Sequence, residues 1–245
     1  MCAAFLITLG VLDLVDSVNT KPKPLLLLIS LDGTRPQYLD LGLTPNMHKL
    51  ASEGLFAPMS PVFPSITFPN HYSLVTGVYP ETHGIVGNSF RDPLYNETFS
   101  YHSLDDNVNP KWWNNSEPIW ITAEKAGLIT ANLFWPGASA PHDGILPTHY
   151  RNFSSVDVQQ HVDWIFEWID ASPSPQKRPD FIAAYFPHID SAGHTTGPLS
   201  GLVNDTVAQV DQGIGSIIKG LKDRGLYDTT NIIIVSDRKF IRDGY

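Results

Sequence analysis

The sequence predicts an α/β fold built on a largely parallel sheet with helices on both faces. Three observations carry that expectation. The runs "LLLLISLDG", "FIAAYFPHID" and "NIIIVSD" are continuously apolar, as strands buried on both faces are. Helical periods lie between such runs: Val158, Val162, Ile165 and Ile169 share one face, and Val207, Val210, Ile214, Ile217, Ile218 and Leu221 share another. Each strand run also ends in an aspartate, Asp32, Asp190 and Asp237. Open α/β sheets hold their ligands at that carboxyl edge.

From the N-terminus, the apolar stretch Ala3 to Leu12 ends before Asp13. It is too short to span a bilayer comfortably and has the length of a signal-peptide core, although no Lys or Arg precedes it. Residues 1–20 are therefore expected to be an export signal or a short membrane anchor, with a frayed or buried N-terminal segment as the alternative. Acceptor sequons at Asn96, Asn114, Asn152 and Asn204 favour a secretory route and a glycoprotein, secreted or held in the endomembrane lumen or at the cell surface. "KPKP" at Lys21 to Pro24 reads as a linker before the first strand. Pro69, following Thr67 and Phe68, marks a helix start near Thr67. From Pro93 to Pro118, Asn, Asp, Pro and aromatic residues predict a long surface excursion. Ser154 or Ser155 is expected to cap the helix through Ile169, and Gly225 to end the helix through Leu221. Gly193, Gly197 and Pro198 make "HIDSAGHTTGP" a shaped loop. No internal repeat and no second domain boundary is visible.

Composition limits the partners. The 245 residues are 42% hydrophobic and 17% charged, enough for a sizeable core. Sixteen basic against twenty-five acidic residues give a net charge of −9, which argues against a nucleic-acid polymer. A small phosphorylated substrate stays open, because bound cations invert the local field. Cys2 is the single cysteine, so no disulfide framework exists. Nothing in the sequence fixes an oligomeric state.

A lone Asp after a strand is most often a turn former or a cap. Three at one sheet edge would repel one another, and together they point to metal ligation. Asp190 and His194, four residues apart, offer the oxygen and nitrogen donors that suit zinc or a similar divalent ion. His188 reads as filler. A hydroxyl at Thr67 would face the free N–H groups of a helix start, a natural place for an anion. The plainer reading of Thr67 is an N-cap. As a nucleophile it would need a base or a metal.

The stretches "SLDGTRPQYL", "FPSITFPNHYSLVTGVYPETHGIVGN", "PIWITAEKAG", "FWPG", "DSAGH" and "IIIVSD" occur in an order that resembles the nucleotide pyrophosphatase/phosphodiesterase family of the alkaline phosphatase superfamily. The resemblance runs from about Leu25 to Asp237 and implies an alkaline phosphatase-like fold, incomplete at the C-terminus, with residues 238–245 as a non-family tail. It implies a hydrolase that releases nucleoside 5′-monophosphates from nucleotide phosphodiester or pyrophosphate bonds at a two-zinc site. By that resemblance Thr67 is the nucleophile that takes the phosphoryl group covalently. Asp32, Thr67 and Asp237 match the ligands of one zinc, and Asp190 and His194 those of the other. Asn88 matches an amide that holds developing charge on the phosphate. Phe68 and Phe153 align with aromatics that sandwich the base, with Trp135 close by, whereas core packing is what aromatics in general do.

The chain departs from the family where "SDRKF" replaces Ser-Asp-His-Gly. Arg238 then stands at a zinc-ligand histidine, and a guanidinium has no lone pair to offer a cation. A later ligand histidine of the family is also absent. Zinc occupancy is accordingly expected to fall. A catalytically impaired nucleotide-binding fragment is one alternative reading, and a phosphodiesterase acting on a lipid or other phosphoester is another.

Overall fold

The computed structural model describes residues 23–171 and 177–237. Residues 1–20, expected as an export signal or short anchor, and the expected non-family tail 238–245, with Arg238, lie outside the described residues. Chain order begins β1 (Leu25–Leu31), α1 (Pro36–Leu39), α2 (Pro45–Glu53), α3 (Thr67–Thr76), α4 (Pro80–His83), β2 (Ser89–Asp92) and β3 (Glu97–Ser100). It continues α5 (Leu104–Val108), α6 (Pro110–Trp113), α7 (Ile119–Lys125), β4 (Thr130–Leu133) and β5 (His149–Arg151). The last elements are α8 (Val158–Asp170), β6 (Phe181–Phe186), α9 (His188–Thr196), α10 (Gly201–Asp223) and β7 (Thr230–Val235).

Five strands form one sheet in the order β5-β4-β6-β1-β7, and every adjacent pair is parallel. β2 and β3 make a separate antiparallel hairpin. All of β6 and all of β4 are buried, which requires cover on both faces and explains their unbroken apolar or small-residue runs. β7 lies outermost beside β1 and alternates in burial, with Ile233 46% exposed. The register matters for function. Leu31 pairs with Phe186 and Ser30 with Val235, so the carboxyl ends of β6, β1 and β7 stand level.

Three expectations need correction, and two short strands are not signalled by the sequence. β4 and β5, four and three residues long, escaped notice because such short strands show no period. The stretch from Pro93 to Pro118 is not a surface excursion throughout: it holds β3, α5 and α6, and Phe99, Trp112 and Trp113 are buried. Its aromatics pack on one another and on Phe68, with Phe99 and Trp113 rings 6.0 and 6.1 Å from the Phe68 ring. "HIDSAGHTT" is the helix α9 rather than a loop, with Gly193 buried inside it. α8 is capped by Asp157, whose Oδ1 accepts the Gln160 N–H at 2.7 Å, and not by Ser154 or Ser155. Asp157→Ala is therefore expected to cost about 1 kcal/mol in urea unfolding, with Ser154→Ala and Ser155→Ala close to neutral.

The core also sets a pH limit. Burial holds His83 and His161 neutral, pushing each imidazole down to about 4. The unfolded chain binds those protons below the ordinary value near 6.5. Folded pKa values are thus depressed, so stability is full above about pH 6.5 and is lost as pH falls toward about 4. Chemical unfolding at pH 7, 5.5 and 4.5 should show a steadily falling midpoint. A midpoint flat across that window would remove these histidines as the cause.

Candidate active site

β1 carries the chain into Asp32, which is 1% exposed, and β7 carries it into Asp237, fully buried. Level strand ends put the two next to each other, and the Gly33 N–H donates to Asp237 Oδ1 at 3.1 Å. Thr34 N–H donates to Ser236 Oγ at 3.1 Å and ties the same two loops. Asp190 arrives from β6 in the first turn of α9. It sits against Gly33, where a Cβ would lie 3.0 Å from Asp190 Cα and Oδ1. Gly33 has φ +69°, so glycine suits this position on both counts. One helical turn on, His194 Nε2 lies 3.3 Å from Asp190 Oδ2.

Burial, then the charges of Asp237 and Asp190, push the Asp32 carboxyl well above the usual carboxylate range. The Tyr185 hydroxyl works the other way by donating to Asp32 Oδ2 at 2.5 Å. Burial and the same carboxylates raise the Tyr185 phenol, which keeps it a donor. Asp32 Oδ1 is buried with no hydrogen-bond partner. A divalent cation would satisfy that oxygen and offset the mutual repulsion, so the donor set fits a metal.

Thr67 opens α3 and is 6% exposed, with Ile66 rather than Thr67 at the N-cap position. Asn88 Oδ1 accepts the Phe68 N–H at 2.9 Å, which places the Asn88 amide at this first turn. His71, fully buried, ties the turn to the sheet: its Nδ1 donates to the Thr67 carbonyl at 2.8 Å and its Nε2 meets Ser30 Oγ at 2.7 Å. The His71 ring stands edge-on to Tyr185 at 4.9 Å, so α3 begins over the ends of β1 and β6. Sequence reasoning missed His71 and Tyr185, although "PNHY" held the former within one turn of Thr67.

Phe68 is half-buried beside Phe99, Tyr101 and Trp113. Phe153 is 58% exposed and rests on Phe134 at 5.4 Å. Trp135 is 2% exposed, and its indole Nε1 donates to the His71 carbonyl at 3.0 Å. It props α3 from within the core. His188, half-buried, bonds the Val156 carbonyl through Nε2.

Residues 26–239 match the family model described as type I phosphodiesterase / nucleotide pyrophosphatase. The chain is 44% identical to an uncharacterised pyrophosphatase/phosphodiesterase of Schizosaccharomyces pombe, covering 86% of this chain and 44% of that one. It is 40% identical to ectonucleotide pyrophosphatase/phosphodiesterase family member 3 of Mus musculus, over 87% of this chain and 24% of the relative. The structure of murine ectonucleotide pyrophosphatase/phosphodiesterase 5, an inactive threonine-to-alanine form in complex with AMP, superposes with a TM-score of 0.80 at 35% identity. That match covers 87% of this chain and 56% of the other. The chain thus spans about half or less of the proteins it matches. Its largely parallel sheet is the alkaline phosphatase-like fold of those structures, and the chain belongs to the type I phosphodiesterase / nucleotide pyrophosphatase family.

Proposed function

We propose that this chain hydrolyses phosphodiester or pyrophosphate bonds of nucleotides and releases nucleoside 5′-monophosphates, with Thr67 as the covalent nucleophile. The observation that carries this reading is the placement of Thr67 and Asn88 at one helix start, above strand ends that gather Asp32, Asp190 and Asp237. The AMP complex of the murine relative supports the ligand class.

Asp32, Thr67 and Asp237 would hold one zinc ion, and Asp190 and His194 the second. When bound, such ions supply positive charge that acidifies a hydroxyl or water and neutralises phosphate oxygens. The protein's own groups do the rest. Thr67 Oγ loses its proton to solvent and bonds to phosphorus as the opposite P–O bond breaks, and the leaving oxygen departs with that electron pair. Asn88 Oδ1 is held by the Phe68 N–H, which leaves the Asn88 Nδ2 donors for an equatorial phosphate oxygen. His71 fixes the Thr67 main chain, and Tyr185 fixes one oxygen of Asp32. Phe68 and Phe153 offer ring faces to the base. Buried Trp135 takes no part in stacking and supports His71 instead. Water then cleaves the threonyl phosphoester and frees the monophosphate.

Export fits the surface. The sequon residues Asn96, Asn114 and Asn152 are exposed, while Asn204 is half-buried in α10. Among the described residues, no helix is long and apolar enough to cross a membrane. The proposed location is a secretory lumen, the cell surface or outside the cell, supported by the exposed sequons and by relatives named as ectonucleotide enzymes.

Acid quench during turnover, followed by peptide mass spectrometry, tests the nucleophile. A nucleoside monophosphate adduct on Thr67 is expected. Turnover with no adduct there, at any quench time, would defeat the assignment.

A further inference from the structure

A second group of donors stands on elements that the mechanism does not use. Glu117 precedes α7, and His142 and Asp143 lie in the segment between β4 and β5. One imidazole nitrogen and one oxygen from each carboxylate all lie within 4.8 Å of one another. His142 is 6% exposed, and its Nδ1 is buried with no hydrogen-bond partner. Its Nε2 lies 3.7 Å from Asp143 Oδ2, an ion-pair separation rather than a hydrogen bond. A buried ring nitrogen with no hydrogen bond is uncommon and calls for a cause.

Local structure holds the donors in place. His142 and Ile145 exchange both backbone hydrogen bonds at 2.9 Å across Asp143 and Gly144. Both central residues have positive φ, +51° and +78°, as a tight Asp-Gly hairpin turn requires. Glu117 Oε1 accepts from the Thr122 hydroxyl at 2.6 Å, which leaves Oε2 facing the group. That space already attracts a cation: Lys125 Nζ lies 2.5 Å from Glu117 Oε2 and 3.4 Å from Asp143 Oδ2. The Lys125 side chain is 39% exposed, so its stem can turn out into water.

We infer that Glu117, His142 and Asp143 form a divalent-cation site, with zinc as the ion its donors suit, and that the Lys125 ammonium closes the site when the ion is away. One nitrogen and two carboxylate oxygens match a three-ligand zinc site with one position left for water. Ligand atoms around tetrahedral zinc sit roughly 3.4 Å apart for bonds of about 2.0–2.1 Å. Loading therefore asks these side chains to draw in by about 1 Å and Lys125 to leave. The ion would clamp the start of α7 to the turn ahead of β5.

Zinc titration by calorimetry, on the whole chain and in parallel with Asp190→Asn, tests this. His142→Ala should lose one zinc equivalent in both backgrounds, and Glu117→Gln should do the same if the alanine variant folds poorly. Lys125→Gln should tighten that equivalent about tenfold, since it removes the competing cation. Zinc-soaked crystals should show anomalous density between the three side chains. Identical titrations for parent, His142→Ala and Glu117→Gln, or no density there, would overturn the site. An unchanged affinity in Lys125→Gln would overturn the closing role of the lysine. Asp190→Asn removes a different equivalent, so failure at the strand ends and failure here read separately.

Discussion

Alanine at Thr67 is expected to lower hydrolysis of a nucleotide ester by about 10⁴-fold or more, because a covalent nucleophile has no substitute in its own step. The variant is a clean probe. Ile66, not Thr67, holds the N-cap position, and no side-chain cap is lost. The hydrogen bond from His71 goes to the Thr67 carbonyl, which alanine keeps. Unfolding midpoint and nucleoside monophosphate affinity should stay near wild type, so the loss falls on turnover. Thr67→Ser, which keeps the hydroxyl and removes the methyl, should recover much of the rate. Wild-type turnover in the alanine variant would eliminate Thr67 as nucleophile, whatever else the site does.

The second large effect is expected at Gly33. An alanine there must adopt φ +69°, which costs roughly 1–2 kcal/mol for an L side chain. Its Cβ would also stand 3.0 Å from Asp190 Cα, Cβ and Oδ1, tighter than ordinary contact. Part of that contact is backbone, so α9 must shift. Asp190 and His194 travel with it, and a displacement near 1 Å in such a site costs on the order of 10²-fold in rate. Gly33→Ala should therefore lose stability and activity together, and calorimetric zinc stoichiometry should fall with them. A variant as stable and as active as the parent would show that the loop absorbs the methyl, and would weaken the case that Asp190 is held by this contact.

The three carboxylates were legible because each follows an apolar run that reads as a buried strand. A level parallel register then brings their ends together. The helix start at Thr67 was legible from Pro69. His71 and Tyr185 were not. His71 sits in a helix without unusual spacing, and Tyr185 passes as one more apolar residue of β6. Their importance comes from a tertiary contact between α3 and the sheet, which no local pattern encodes. Aromatic residues misled in both directions. Trp112 and Trp113 lie in a stretch whose Asn and Pro content signals surface, yet both are covered by Phe99, and Trp112 also by Phe90. Trp135, expected close to the aromatics around the base, is buried, and its N–H is spent on the His71 carbonyl. "HIDSAGHTTGP" reads as a loop because Gly193, Gly197 and Pro198 outweigh the four-residue spacing of Asp190 and His194, which one helical turn explains.

The hydrogen bond from Gly33 to Asp237 joins residues 204 positions apart. β1 is the first strand of the sheet in sequence, and β7 is the last of the described strands. The acidic centre is therefore expected to close late in folding. Contacts this distant in sequence close late, because the loop entropy they cost is recovered only when the intervening elements have already docked. Until β7 arrives, Asp32 waits on a half-made edge without the neighbour that defines its site. Cation binding at the strand ends, as proposed above, is then expected only after β7 docks beside β1, and its appearance in a refolding experiment would time that docking.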